Sequence, residues 1–264
     1  MKKLFSFWIL LLNFTAFAQQ KIPDAKNLAF NIGLKNLSFR DGVFSPLLYT
    51  GYGLETTLKY QKDGLNKNTG FGVNFGNQQL KNEFSNSASA FNIQLGYHYL
   101  RTLKTNRHWQ LGGIWATKAA IRTFKVPFGG ESMSGDIFSM FNIASCYQTK
   151  SHDLGQLSVL FSIPVLGIAF ARKNYNLSTN PALIVVDNIP LDVLKTAELI
   201  SFPQLKAISI NTEYQYPVGK KINFLVNIAL NLYDYKRLYT NTKSVDASLA
   251  LGLNFRINSS KTKQ

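Results

Sequence analysis

Residues 245–258 read VDASLALGLNFRIN, and the alternation within them decides the fold. Val245, Ala247, Leu249, Leu251, Leu253, Phe255 and Ile257 fall on one face. Asp246, Ser248, Ala250, Gly252, Asn254, Arg256 and Asn258 fall on the other. A period of two with the larger apolar side chains on one side is a strand. A helix would scatter Asp246 and Arg256 among the leucines. A globular strand usually runs to about 5–6 residues, whereas one crossing a bilayer at a tilt needs roughly 9–11. This apolar face is long enough to cross.

The start of the chain agrees with that compartment. MKKLFSFWILLLNFTAFA opens with Lys2 and Lys3, continues with an apolar run over residues 4–12 and ends with Ala16 and Ala18 spaced for cleavage. These are the three parts of a secretory signal peptide. The reading predicts a leader at 1–18 and a single barrel domain at 19–264, with a closing strand at 245–258 and a polar tail at 259–264. The whole sequence has 264 residues, 45% hydrophobic, 13% aromatic and only 16% charged, with a formal net charge of +15. Its one cysteine, Cys146, excludes an intrachain disulfide and reads as a small buried apolar side chain.

Between leader and closing strand, hairpins follow one another, beginning with a strand in which Phe30, Ile32 and Leu34 alternate with Asn31, Gly33 and Lys35. Leu48, Tyr52, Leu54, Leu58 and Tyr60 share a face against Gly51, Gly53, Glu55, Thr57 and Lys59. Phe71, Val73 and Phe75 oppose Gly70, Gly72, Asn74 and Gly76, and Phe91, Ile93, Leu95, Tyr97 and Tyr99 oppose Asn92, Gln94, Gly96 and His98. A strand from Trp109 leads to a longer loop at about 119–134. A strand at about 136–148 has less distinct faces, because Phe138 and Met140 oppose Phe141 and Ile143. Residues 154–171 are uncharged and long enough for a membrane helix. The alternation of Gln156, Ser158 and Ser162, with Pro164 in the middle, instead reads as a strand with a bulge at the proline. Residues 172–203 hold three prolines and read as the longest loop, with a short helix possible at 191–200. Two further strands, around Ile208–Tyr216 and Ile222–Leu230, precede the closing one.

The result is an all-β chain of ten strands, or twelve if 172–203 hides a hairpin, with short turns at one end and longer loops at the other. A secreted β-sandwich also alternates. Two features favour an antiparallel up-and-down transmembrane β-barrel. Tyr60, Tyr97, Tyr99, Trp109, Tyr147, Tyr214, Tyr216 and Phe255 cluster at strand ends beside the short turns, as an interfacial aromatic girdle requires. Tyr49, Tyr52, Tyr233 and Tyr235 would form the opposite girdle. The face opposite the apolar one is rich in Gly and Asn, which suits a narrow lumen.

The leader ending Ala18-Gln19-Gln20, the hairpin series and the last strand resemble the small outer-membrane β-barrel proteins of Gram-negative bacteria, especially those of the Bacteroidota. Gly252, Phe255 and Ile257 resemble the C-terminal signal read by the barrel-assembly machinery of that class. Ile257 stands where that signal usually has an aromatic residue, and a tail follows it. The resemblance implies an outer-membrane location and an assembly route. It implies no activity.

Chemistry is sparsely marked. The three histidines, His98, His108 and His152, fall near the short turns, away from Asp136, Asp187 and Asp192 at the loop end. No nucleophile–base spacing or metal-ligand cluster is visible, and no cofactor is expected. The candidate lumen polar network is Glu55, Lys59, Lys118, Glu213, Asp246 and Arg256. It reads either as a polar path or binding site or, the favoured reading, as an ion-paired plug, since side chains can fill a barrel of about this size. The basic residues are spread over both rims, which argues against nucleic acid as a partner. The loop set, among them Lys81, Arg122, Lys125, Arg172, Lys236, Arg237 and Lys243, is placed to meet outer-membrane lipid phosphates.

Overall fold

The computed structural model describes residues 25–41, 45–64, 66–126, 130–151, 155–171, 197–202, 204–237 and 240–257. They form β1 (Ala25–Asp41), β2 (Ser45–Asp63), β3 (Lys67–Lys81), β4 (Ser87–Thr102), β5 (Trp109–Val126), β6 (Gly130–Ser151), β7 (Gly155–Ala171), β8 (Ala197–Ser201), β9 (Leu205–Pro217), β10 (Ile222–Arg237) and β11 (Thr240–Ile257). All pairings are antiparallel, and β11 pairs β1 from Lys26↔Ile257 to Asp41↔Thr242, which closes the sheet. β9 pairs residues 156–162 of β7 and β8 pairs residues 166–170, so the two short strands share one place in the wall. The molecule is a closed ten-strand antiparallel barrel. Closure leaves no sheet edge, the condition for placing strands in hydrocarbon.

The alternation read from the sequence sets the two faces. Leu34, Leu54, Phe75, Phe91, Trp115, Ile143, Ile228, Leu249 and Leu251 are exposed on the outside, while Asn31, Lys35, Glu55, Asn92, Asn142, Glu213 and Asp246 are buried inside. From Val245 to Phe255 the closing strand advances ten steps of ~3.3 Å. At a tilt near ~40° that covers ~25 Å, the height of an outer-membrane apolar band. A continuous apolar surface of this extent is not stable facing water.

The end carrying Ala25 and Ile257 is called the inner end here. Register places Phe255, Leu28, Tyr60, Phe71 and Tyr97 in one lateral row there. Trp109 stacks edge-on with Tyr147 at 5.3 Å between centroids. That girdle is as expected. The opposite one is not. Tyr52 is 70% exposed, but Tyr49 and Tyr235 are 5% and 4% exposed and point inward. Tyr49 packs on Phe124, and Tyr233 and Tyr235 pack on Phe138. Their strand parity explains it, since Tyr49 shares the side of Gly51 and Glu55, and Tyr233 the side of Asn231.

The bulge at Pro164 is present. Asn142 pairs Pro164 and Phe141 pairs Leu166, leaving Val165 as the extra residue. The same point separates the β9 and β8 pairings, where a residue without an N–H does least harm. Three boundaries differ from expectation. β5 runs to Val126 and β6 starts at Gly130, so most of the expected 119–134 loop is strand. Ala197–Ser201 is a strand rather than part of a loop or helix. The connections at the far end, such as Asp41 to Ser45 and Lys81 to Ser87, are short, so outside the expected 172–203 loop the turn–loop asymmetry is not seen. The leader, most of that loop, Asp187, Asp192, His152, Asn258 and the tail lie outside the described residues.

Candidate functional site: a charged layer across the lumen

Inward-facing positions on five strands supply six charged groups to one part of the lumen. Lys35 of β1 lies opposite Gly53 of β2, where a Cβ would collide with the Asn77 carbonyl of β3. Its Nζ is 3.1 Å from Glu55 Oε2 and 3.5 Å from Asp246 Oδ2. Lys118 Nζ, from β5, reaches the same Asp246 oxygen at 3.6 Å. β5 and β11 are five places apart in the ten-place ring, so this pair spans the lumen. Asn231 Nδ2 donates to Asp246 Oδ1 at 2.6 Å, and Ser248 Oγ donates to Glu55 Oε1 at 3.3 Å. Arg122 donates to Asp136 Oδ2 at 2.5 Å and lies 4.0 Å from the Phe39 ring centroid. Three cations face three carboxylates, so the layer is neutral.

A second crossing lies nearer the inner end. Lys59 of β2 donates to Glu213 of β9 at 3.2 Å. Glu213 also accepts from Gln215 at 2.7 Å, and Gln215 accepts from Asn254 at 2.8 Å. His98 bonds Asn68 at 2.8 Å, and His108 Nδ1 donates to the Gln148 carbonyl at 3.0 Å. Cys146 is buried against Leu100 and Ala144. Beside the charged groups and toward the far end, two apolar clusters pack inside the lumen. One gathers Leu37, Phe39, Tyr49, Leu80 and Phe124, and the other Phe138, Ile200, Leu205 and Tyr235. Between the layer and the first cluster lies a cavity of about 20 Å³ lined by Lys35, Phe39, Lys118, Arg122 and Asp246, room for about one water.

Of the six network candidates, the structure joins Glu55, Lys118 and Asp246 in the main layer and Lys59 with Glu213 in the second. Arg256 is not among them. It has inward parity but lies at the mouth, exposed. Lys35, Arg122 and Asp136 were missed as network members. Arg122 falls in the expected 119–134 loop and Asp136 at the start of the expected 136–148 strand, and both prove to lie within the wall. Among the described residues no group of three His, Cys, Asp or Glu side chains could hold a metal.

Of the assembly-signal candidates, Phe255 and Ile257 are exposed on the lipid face. Gly252 faces inward. A Cβ there would collide with the Phe30 carbonyl and Asn31 Oδ1, so this glycine is required by packing whatever else reads it.

The fold is shared with solved bacterial barrels. The translocator domain of autotransporter NalP from Neisseria meningitidis aligns with a TM-score of 0.51 at 9% identity, covering 97% of this chain and 95% of that one. The outer membrane protease OmpT from Escherichia coli gives 0.49 at 11%, covering 91% and 99%. Ail, the attachment invasion locus protein of Yersinia pestis, gives 0.38 at 10%, covering 89% and 100%. The first likeness shows the fold alone, and the weaker two add no argument. No family model matches the sequence, and no curated protein does. Fold and lumen together define a β-barrel of outer-membrane type with side chains packed across its interior.

Proposed function

We propose that the mature chain is an integral barrel of a Gram-negative outer membrane, of the Bacteroidota kind, with a structural, binding or accessory role at the cell surface. Its lumen is held shut by its own ion pairs. The observation that carries this reading is the Lys118–Asp246–Lys35–Glu55 chain, which joins opposite walls in a charge-neutral layer. A conduction path offers unsatisfied polar groups to passing solutes. Here the charged groups satisfy one another, and apolar side chains pack beyond them.

On this reading the leader is removed after Ala18 during export. The barrel-assembly machinery reads the strand carrying Gly252, Phe255 and Ile257, and lipid covers the apolar belt. The charged residues serve the wall rather than a substrate.

The test is outer-membrane fractionation with boiled and unboiled gel samples, followed by planar-bilayer recording of the folded protein. The expected result is a compact, faster-running unboiled band in the outer-membrane fraction and no conductance steps. A soluble periplasmic protein without a mobility shift would overturn the membrane assignment. Regular single-channel steps from folded protein would replace the plug by a narrow channel.

A further inference from the structure

We propose that the inner ends of β1–β4 form a binding site for the phosphate headgroups of anionic phospholipid, built from Lys26, Lys62, Lys67 and Arg101. The proposal rests on the barrel reading above and adds a ligand class and a place to it.

The four residues occupy outward positions. Lys26 is two residues from Leu28, Lys62 two from Tyr60, and Arg101 two from Tyr99, all exposed on the lipid face. Lys67 shares outward parity with Phe71. They therefore sit just beyond the aromatic girdle, at the depth where headgroup phosphates lie. Register then creates a conflict. Lys26 lies directly opposite Lys62, and Lys67 directly opposite Arg101. Like charges directly opposed across a ladder destabilise it. The nearby acid, Asp63, has the other parity and accepts from Asn27 at 2.9 Å and Gln61 at 2.7 Å. None of the four cations makes an ion pair among the described residues.

These four cations lie on four adjacent strands, without an ion pair among the described residues, and two couples of them are directly opposed in register. An anion held between each opposed pair removes the conflict. Lys62 and Thr69 are also register partners, and this hydroxyl lies between the two cation pairs as a further donor. A phosphodiester presents acceptor oxygens at this depth, and each contact is charge-assisted.

The mature chain carries its own reporters. Its tryptophans are Trp109 and Trp115, both on β5, and Arg101 pairs Leu111 of that strand. The full mature chain is folded into phosphatidylcholine vesicles containing a small fraction of either brominated phosphatidylglycerol or brominated phosphatidylcholine. Folding is checked by gel shift in each. Brominated phosphatidylglycerol is expected to quench with about five-fold higher apparent affinity, the worth of one cation–phosphate contact near a membrane surface. The variant Lys26→Gln/Lys62→Gln/Lys67→Gln/Arg101→Gln should fold and lose that preference. A far-end variant with the same charge loss, Lys81→Gln/Lys125→Gln/Lys206→Gln/Lys236→Gln, should keep it.

Equal quenching by the two lipids in folded wild type would overturn the site and leave the barrel standing. So would a preference retained by the inner-end variant or lost equally in the far-end one. Failure of the wild type to give a shifted band in any vesicle would overturn the barrel reading, and the lipid site with it.

Discussion

Replacing Asp246 by alanine is expected to lower the unfolding free energy of the membrane-folded protein by about 3–5 kcal/mol, the cost of removing one partner from a buried ion pair. Asp246 receives Lys35, Lys118 and the Asn231 amide. Lys35 would keep Glu55 at 3.1 Å. Lys118 would keep no carboxylate partner among the described residues, but 31% of its side chain is exposed, so the loss should fall toward the lower end of that range. Urea titration in lipid vesicles, read by tryptophan fluorescence, measures it. The double variant Lys118→Met/Asp246→Ala should lose clearly less than the sum of its singles, because those residues share one interaction. A cost below about 1 kcal/mol for Asp246→Ala would mean that water already solvates the layer, and the plug would have to be abandoned. Arg256→Ala provides the contrast. That residue is exposed at the mouth, and its loss should stay within about 0.5 kcal/mol.

The two charged positions differ in a way parity alone could not reveal. Asp246 and Arg256 alternate on the same face of one strand, but one is buried within the lumen and the other is exposed at its mouth. Depth along a strand depends on where neighbouring strands end, and that is a property of the ring. The same limit explains Arg122 and Asp136. Within the lipid belt, every outward position must be apolar, so the strand announces itself. Past Ile121 the outward residues of β5 are Thr123 and Lys125. The alternation signal fades although the hydrogen-bonded ladder continues to Val126. Alternation therefore marks a strand only where its outer face is apolar, and it leaves Arg122 in an expected loop although the β5–β6 ladder runs on through it.

Lys35 has an inward parity that is legible in the sequence, but its role is not. It shares parity with Asn31 and Gly33 and has no partner within its own strand. Its partners come from β2 and β11, more than 19 positions away in sequence for Glu55 and at the far end of the chain for Asp246. The tyrosines failed for a chemical reason. A tyrosine fits both a headgroup belt and a lumen, since each offers an apolar wall and a hydrogen-bond partner. Parity settles the matter, and it points Tyr49, Tyr233 and Tyr235 inward. The barrel itself was readable because closure and the belt are dictated by backbone satisfaction and lipid, which act on every strand alike.

Introducing arginine at Leu251 should cost about 2–4 kcal/mol in lipid, whereas the same change at Phe255 should cost about 0–1 kcal/mol. Leu251 is 52% exposed, with Ile32 and Val226 as its register partners. It lies in the middle of the apolar run from Val245 to Phe255, where a charge has no water to reach. Phe255 belongs to the aromatic row at the inner end, where an arginine can extend to the headgroups. The difference between the two positions depends on lipid. In a water-soluble barrel both side chains would face solvent, and each substitution would fall within about 0.5 kcal/mol. Unfolding titrations of Leu251→Arg and Phe255→Arg in vesicles therefore measure the membrane and its depth together. Equal, small effects at the two positions would remove the bilayer from around this wall. A large effect at Leu251 alone would place the hydrocarbon midplane at that residue, on the inner-end side of the Asp246 ion pairs that hold opposite walls together.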